Sequence, residues 1–234
     1  MSEPQPDAAV PTDLVVAIDG PSGSGKSTVA RGVARALGLR YLDTGAMYRA
    51  VTWRVLHRGV DLTDPAAVAA TSTGADLAIS TAPDESRVAV DGVDVSTEIR
   101  ERAVTSAVSA VSAVPAVRAD MVRRQKELIG PGGIVVEGRD IGTTVAPDAP
   151  VKVFLTADPA ARATRRGREL AGGPSVDAAV LAATRESLLS RDDADSRRAA
   201  SPLAQADDAH VIDSTDLTAE QVVEAVLALV AVAR

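Results

Sequence analysis

Leu14-Val-Val-Ala-Ile18, running into Gly20-Pro-Ser-Gly-Ser-Gly-Lys-Ser-Thr28, decides how this chain folds. The first five residues form a short, unbroken apolar run, the mark of a strand buried on both faces of a parallel sheet. Gly20 to Ser27 satisfies Gly-x-x-x-x-Gly-Lys-Ser, and a helix-forming stretch then runs to Leu37. Strand, glycine-rich turn and helix are the context that a phosphate-binding loop requires. The glycines let successive backbone N–H groups turn inward, the helix N-terminus adds a partial positive charge, and Lys26 adds a whole one. Ser27 offers a hydroxyl to a magnesium ion whose other positions phosphates and waters would fill. Gly20, Pro21, Ser22, Gly23, Ser24, Gly25, Lys26, Ser27 and Thr28 are therefore the expected triphosphate-binding set.

Further buried-strand runs are expected at Arg40–Leu42, Ile134–Val136, Val151–Leu155 and His210–Ile212, with a helix at about Gly45–His57. Asp158-Pro159 reads as an N-cap followed by proline at the first helical position, and Thr218–Gln221 as a capping box ahead of a C-terminal helix. Apolar strands alternating with helices imply an α/β fold with a parallel sheet and helices on both faces. Two segments break the rhythm. Ala75–Val95 alternates around an Asp91-Gly92 turn, which predicts a small antiparallel insert. Arg162–Arg198 is arginine-rich and helical in pattern, and is interrupted by Gly172-Gly173-Pro174, which predicts a helical lid hinged at glycines. The expected organisation is a disordered tail over residues 1–12 and a single domain over 13–234, with the insert at 75–96 and the lid with its following helix at 162–198.

Composition narrows the function. Hydrophobic residues make up 46% and charged residues 24% of the 234, so a disordered or collagen-like chain is excluded. The 25 Lys and Arg against 32 Asp and Glu leave a net charge of −7, which opposes bulk binding to nucleic acid or an anionic membrane. There is no cysteine, hence no disulfide, thiolate metal site or cysteine nucleophile. Trp53, Tyr41, Tyr48 and Phe154 are too few aromatics for a base-stacking platform. No apolar run approaches the length of a membrane span, and Met1–Pro11 lacks the basic and apolar regions of a signal peptide. A cytoplasmic monomer acting on small molecules is expected.

A triphosphate site does not name a reaction. The base-reading Asn-Lys-x-Asp of GTPases is absent, as is an apolar strand ending in Asp-Glu. Arginines stand instead where a second phosphate could be held: Arg49, Arg139 after the run Ile134–Val136, and a dense lid set. Guanidinium groups hold phosphates in bidentate fashion and neutralise the charge of a transferring phosphoryl group. Other residues read more plainly. His57 and His210 are too few for a histidine metal site, Trp53 and Tyr41 suit core packing, and Asp192-Asp193 suits a solvated salt-bridge face. Asp19 could assist magnesium through water or could fix the loop; both readings stand.

Ile18-Asp-Gly-Pro-Ser-Gly-Ser-Gly-Lys26, Leu42-Asp-Thr-Gly-Ala-Met-Tyr-Arg49, Glu137-Gly-Arg-Asp-Ile-Gly-Thr143 and Arg191-Asp-Asp-Ala-Asp195 together resemble the bacterial cytidylate kinases, nearly from end to end. The resemblance implies a P-loop nucleoside monophosphate kinase fold and the reaction of ATP with CMP or dCMP, with magnesium. It implies that Arg49, Arg139 and Arg198 grip the CMP phosphate and that Ser109, Arg118 and Asp140 read the cytosine. It also places Asp195, helped by Arg191, at the ribose, Thr44 and Tyr48 along the acceptor pocket, and Arg162 and Arg166 in the lid over ATP. Thr44 stands where some relatives have serine, with the hydroxyl kept.

The base-reading set also makes chemical sense. An aspartate accepts from the cytosine amino group and an arginine donates to N3 or O2, whereas uracil reverses the pattern. A salt bridge between Asp140 and Arg139 is the competing reading for Asp140. The acceptor phosphate is already anionic near neutral pH, so alignment and charge neutralisation suffice and no general base is needed. The competing functions are a small kinase for UMP, AMP or another acceptor, an ATP-dependent switch acting through a partner, and a nucleic-acid ATPase.

Overall fold

The computed structural model describes residues 12–171, 173 and 176–233. The tail expected at residues 1–12 therefore lies almost wholly outside the described residues, as do Gly172 and Pro174 of the expected hinge. The five anticipated apolar runs become β1 (Val15–Asp19), β2 (Arg40–Asp43), β6 (Ile134–Gly138), β7 (Val151–Thr156) and β8 (His210–Asp213). They form one parallel sheet in the order β2-β6-β1-β7-β8, with Val15 beside Ile134 and Val16 beside Val151.

Alternation along β1 explains the layers. Val16 and Ile18 face one way with Val135, Val153 and Leu155, against Val29 and Val33 of α1 (Lys26–Leu37) and Val222, Val226 and Val230 of α8 (Ala219–Val232). Ala17 faces the other way with Leu42 and Val136, against Met47 and Val51 of α2 (Thr44–His57) and Met121 of α5 (Pro115–Ile129). Both faces are closed, as a βαβ sheet demands. Asp43 caps α2 by accepting from the Ala46 N–H at 2.8 Å, and Thr218 and Gln221 form the anticipated capping box on α8. His57 stacks on Trp53, their ring centres 4.7 Å apart.

The insert is a three-stranded antiparallel sheet of β3 (Leu77–Ile79), β4 (Val88–Val90) and β5 (Val93–Asp94). Three helices around it carry no sequence-based expectation: α3 (Pro65–Thr73) before it, and α4 (Arg102–Ala113) and then α5 after it. Asp64-Pro65 repeats the Asp158-Pro159 signal, and the Asp64 carboxylate accepts from the N–H groups of Ala66 and Ala67. The arginine-rich segment is two packed helices, α6 (Pro159–Ala171) and α7 (Ala178–Ser196), beginning at Pro159 rather than Arg162. Ile141–Val145 form a single π turn. The Asp19 carboxylate accepts from the N–H groups of Ile141 at 2.9 Å and Gly142 at 2.7 Å, so it fixes this turn. Burial pushes the Asp19 carboxyl up to about 6, against the pull of those two N–H groups.

Candidate active site

At the C-terminal edge of the sheet, beyond the end of β1, lies a cleft of about 660 Å³. The phosphate loop forms one end. Gly20 has φ +146°, and a Cβ there would sit 2.0 Å from the Leu155 carbonyl oxygen, so only glycine lets the loop leave β1 against β7. Gly25, at φ +94°, turns the chain into α1 with its first N–H groups free. Ser27 and Thr28 are exposed to the cleft. Lys26 folds back on its own loop, Nζ donating to the Pro21 carbonyl at 2.7 Å. Burial, then the neighbouring Arg139, push this ammonium down to about 7. Beyond the loop, Ser214, Leu217, Thr218 and Val222 extend this end of the cleft.

Arginine and aspartate pairs build the other end. Arg118 Nη2 donates to Asp140 Oδ2 at 2.6 Å, with both side chains buried. Asp140 thus pairs across 22 residues with Arg118, not with the adjacent Arg139, which corrects the competing reading given for it. Arg139 turns toward α7 and the phosphate loop, donating to Asp195 Oδ2 at 3.2 Å and to the Ser22 hydroxyl at 2.8 Å. Arg198 donates to the other Asp195 oxygen at 3.3 Å, and Arg49 to Asp43 at 3.0 Å. Burial and then repulsion from the like charge of Arg139 bring Arg191 down to about 10, and burial followed by Arg118 also lowers Arg198. Tyr48 lies beneath Arg118, its ring centre 5.1 Å from Cζ, and burial raises its phenol to about 12. Ser109 lines the same wall.

All the site residues expected from the sequence line this cleft except Gly20, Pro21 and Arg162. Gly20 and Pro21 shape the loop from behind. Arg162 is buried against the loop, donating to the carbonyls of Ser22 at 3.0 Å and Ala157 at 3.1 Å and pairing with Asp192. Asp192 also accepts from the Ser22 N–H at 2.9 Å, so it braces the phosphate loop and is no solvated face; only Asp193, paired with Arg197, fits that description. Arg166 lines the cleft and pairs with Glu169 at 2.7 Å. Thr44 donates to the Glu137 carbonyl at 2.7 Å.

Four guanidiniums, those of Arg49, Arg118, Arg191 and Arg198, keep a buried Nε with no hydrogen-bond partner. An unmet buried donor costs about 1–3 kcal/mol, more when charged, and four converging on one wall are suited to an anionic ligand.

One residue of the site escaped the sequence reading. Glu137 is the last but one residue of β6, fully buried beside Lys26, Ser27, Tyr41 and Asp43. Burial, and next Asp43, raise its carboxyl, while Lys26 and the hydroxyls of Tyr41 and Ser27 pull it back. An acidic residue near the C-terminal end of an apolar parallel strand was the available signal. Asp43 carries the opposite balance: burial pulls it up, yet Arg49 and the Ala46 N–H hold it below the usual carboxylate range.

A family model described as cytidylate kinase matches residues 16–232. The chain belongs to the cytidylate kinase family. Curated cytidylate kinases from Streptomyces avermitilis and Mycolicibacterium paratuberculosis are each 54% identical to it. The first match covers 93% of this chain and 92% of the relative, the second 91% and 93%. The cytidylate kinase of Rhodococcus opacus is 53% identical over 94% of this chain and 95% of its own. A solved sugar kinase from Janibacter sp. HTCC2649 aligns at TM-score 0.46 and 18% identity, covering 93% of this chain and 94% of that one, a likeness too distant to bear on the site.

Proposed function

We propose that this chain transfers the terminal phosphoryl group of ATP to CMP and dCMP, giving ADP and CDP or dCDP. Membership of the cytidylate kinase family supports phosphorylation of CMP. The observation that carries the finer reading is the single cleft with a phosphate loop at one end and, at the other, a buried Arg118–Asp140 pair beside unpartnered arginine donors.

The acceptor base would lie against Arg118 and Asp140, with Ser109 beside it. Asp140 would accept from the cytosine amino group and Arg118 would donate to N3 or O2. UMP presents the opposite donor and acceptor pattern there, leaving buried groups mismatched at about 1–3 kcal/mol each. The acceptor phosphate would take the free Nε edges of Arg49 and Arg198 and draw Arg139 from its present partners, while Asp195 and Arg191 would face the ribose. Thr44 and Tyr48 would wall the pocket. Lys26 would leave the Pro21 carbonyl for the donor phosphates, and Arg162 and Arg166 belong to α6, which with α7 would cover ATP.

Magnesium fits the donor end. The exposed Ser27 hydroxyl is a hard oxygen ligand, and the Glu137 carboxylate stands beside it, with Asp43 next to Glu137. Bound there with the triphosphate, the ion would offset negative charge on the phosphate oxygens. Alignment and charge neutralisation would carry the reaction, and closure of α6 and α7 would keep water from competing. The reading includes a cytoplasmic monomer with no nucleic-acid or membrane partner. No helix among the described residues is long and apolar enough to cross a membrane.

Turnover of ATP against CMP, dCMP, UMP and AMP tests the proposal. CMP and dCMP should exceed the others in kcat/KM by about tenfold or more, the value of one mismatched hydrogen bond or better. Equal turnover of UMP or AMP would overturn the base-reading assignment. ATP hydrolysis indifferent to every monophosphate would overturn the transfer itself.

A further inference from the structure

The antiparallel insert is joined to the phosphate loop by a chain of side-chain contacts that none of the roles above uses. Arg31 lies one helical turn after Ser27 on the same face of α1. Its guanidinium holds a loop 52 to 55 residues further along the chain: Nη1 donates to the carbonyls of Pro83 at 2.7 Å and Glu85 at 2.9 Å, and Nη2 to the Ser86 hydroxyl at 2.8 Å. The same guanidinium lies over the Tyr41 ring, its Cζ 4.4 Å from the centre. Tyr41 is fixed from the insert side too, since its backbone N–H donates to the Thr81 carbonyl at 2.8 Å. The Tyr41 hydroxyl donates to Glu137 Oε1, and Ser27 neighbours that carboxylate. Arg31 and Ser86 both border the cleft.

We propose that Arg31 and Tyr41 are positioning residues: the insert loop Thr81–Ser86 clamps Arg31, Arg31 fixes the Tyr41 ring, and Tyr41 aims the Glu137 carboxylate at Ser27. The insert thereby sets the orientation of the hydroxyl that meets the cation of the donor nucleotide. The inference rests on the reading of Ser27 given under the proposed function. The physical basis is the way outer groups orient metal ligands, since a buried carboxylate with one hydrogen-bond donor removed is free to turn. A purely structural clamp would also hold the insert to α1, so the test must read cation affinity.

The probe is Mn²⁺, titrated into protein saturated with ADP, with free Mn²⁺ measured by electron paramagnetic resonance. Tyr41→Phe keeps the ring beneath Arg31 and removes only the hydroxyl; Arg31→Met removes the fork, and Arg31→Lys replaces it should the first fail to fold. Tyr41→Phe is expected to weaken Mn²⁺ about tenfold and Arg31→Met about threefold, with metal-free ADP affinity and KM for CMP within about twofold of the parent. The double variant should be no worse than Tyr41→Phe alone, because both act through one hydroxyl. Unchanged Mn²⁺ affinity in folded Tyr41→Phe, or additive losses in the double variant, would overturn the proposal. Ser27→Ala separates the two readings. If it weakens Mn²⁺ and Tyr41→Phe does not, the positioning role alone fails; if it has no effect, the reading of Ser27 fails and takes this inference with it.

Discussion

The two ends of the cleft are made by different means. The phosphate-loop end consists mostly of backbone: glycines at φ +146° and +94°, free N–H groups at the start of α1, and a single lysine. The acceptor end consists of side chains, four of its arginines set against aspartates: Arg49 on Asp43, Arg118 on Asp140, and Arg139 and Arg198 on the two oxygens of Asp195. A backbone site tolerates most side-chain changes and fails at a few positions. A site of buried ion pairs is sensitive at every member, because removing one partner strands a charge. The first end suits a polyphosphate common to many reactions, and the second suits a choice among acceptors.

The comparison breaks most readily at Lys26. Lys26→Ala should lower kcat by about 10³ or more, while the melting temperature does not fall, because the ammonium is buried at a desolvation penalty. Retained turnover would show that the backbone alone suffices at that end. Asp140→Ala comes next. It should raise KM for CMP by about a hundredfold, change KM for ATP little, and destabilise the fold by about 3 kcal/mol by leaving Arg118 buried and unpaired. Steady-state kinetics and urea unfolding check both, and equal effects on the two substrates would erase the distinction between the ends.

A smaller effect is expected with pH. Burial and Arg139 push the Lys26 ammonium from 10.5 down to about 7 in the empty cleft, and a bound diphosphate would draw the proton back. ADP affinity should therefore fall as pH rises from about 7 to 9, approaching tenfold per pH unit, with proton uptake seen by calorimetry in buffers of different ionisation enthalpy. The sign for folding is the reverse. Between pH 7 and 10.5 the unfolded chain binds more protons at this lysine, so its contribution makes the empty protein more stable as pH rises. Asp19, raised to about 6, makes the opposite contribution at low pH, favouring the fold below 3.8 and losing that effect as pH climbs through 6. The smallest change is expected for Thr44→Ser. The hydroxyl that donates to the Glu137 carbonyl is kept, so kcat/KM should stay within about twofold and stability within about 0.5 kcal/mol.

Legibility in the sequence followed contact distance along the chain. The strand, loop and helix of residues 14–37 are local, and their hydrophobic run, glycines and capping positions were readable directly. The same holds for the Thr218 capping box and the Asp91-Gly92 turn. α3, α4 and α5 were not readable: α3 and α4 are rich in Ala, Ser and Thr, and the burial of all three is decided by their packing on one another and on α2. The site residues were legible as a set, yet their pairing was not. Ser22 meets Asp192 across 170 positions and Arg162 meets Asp192 across 30, so an acidic pair that looked solvated includes a brace for the phosphate loop. Glu137 was overlooked because a lone glutamate after three apolar residues carries no periodic signal. Its importance lies in what surrounds it.

The order of residues by itself determined a parallel α/β sheet, a phosphate-binding turn at Gly20–Ser27 and the cast of arginines and aspartates, since these depend on neighbours within a few positions and on the pattern of polarity. Only the tertiary structure decided which aspartate each arginine holds, that Arg162 sits behind the phosphate loop, that Asp19 fixes the turn at Ile141, and that the insert reaches Ser27 through Arg31, Tyr41 and Glu137. Such pairings are set by burial and by angular geometry between elements far apart in the chain, and neither is written in local spacing.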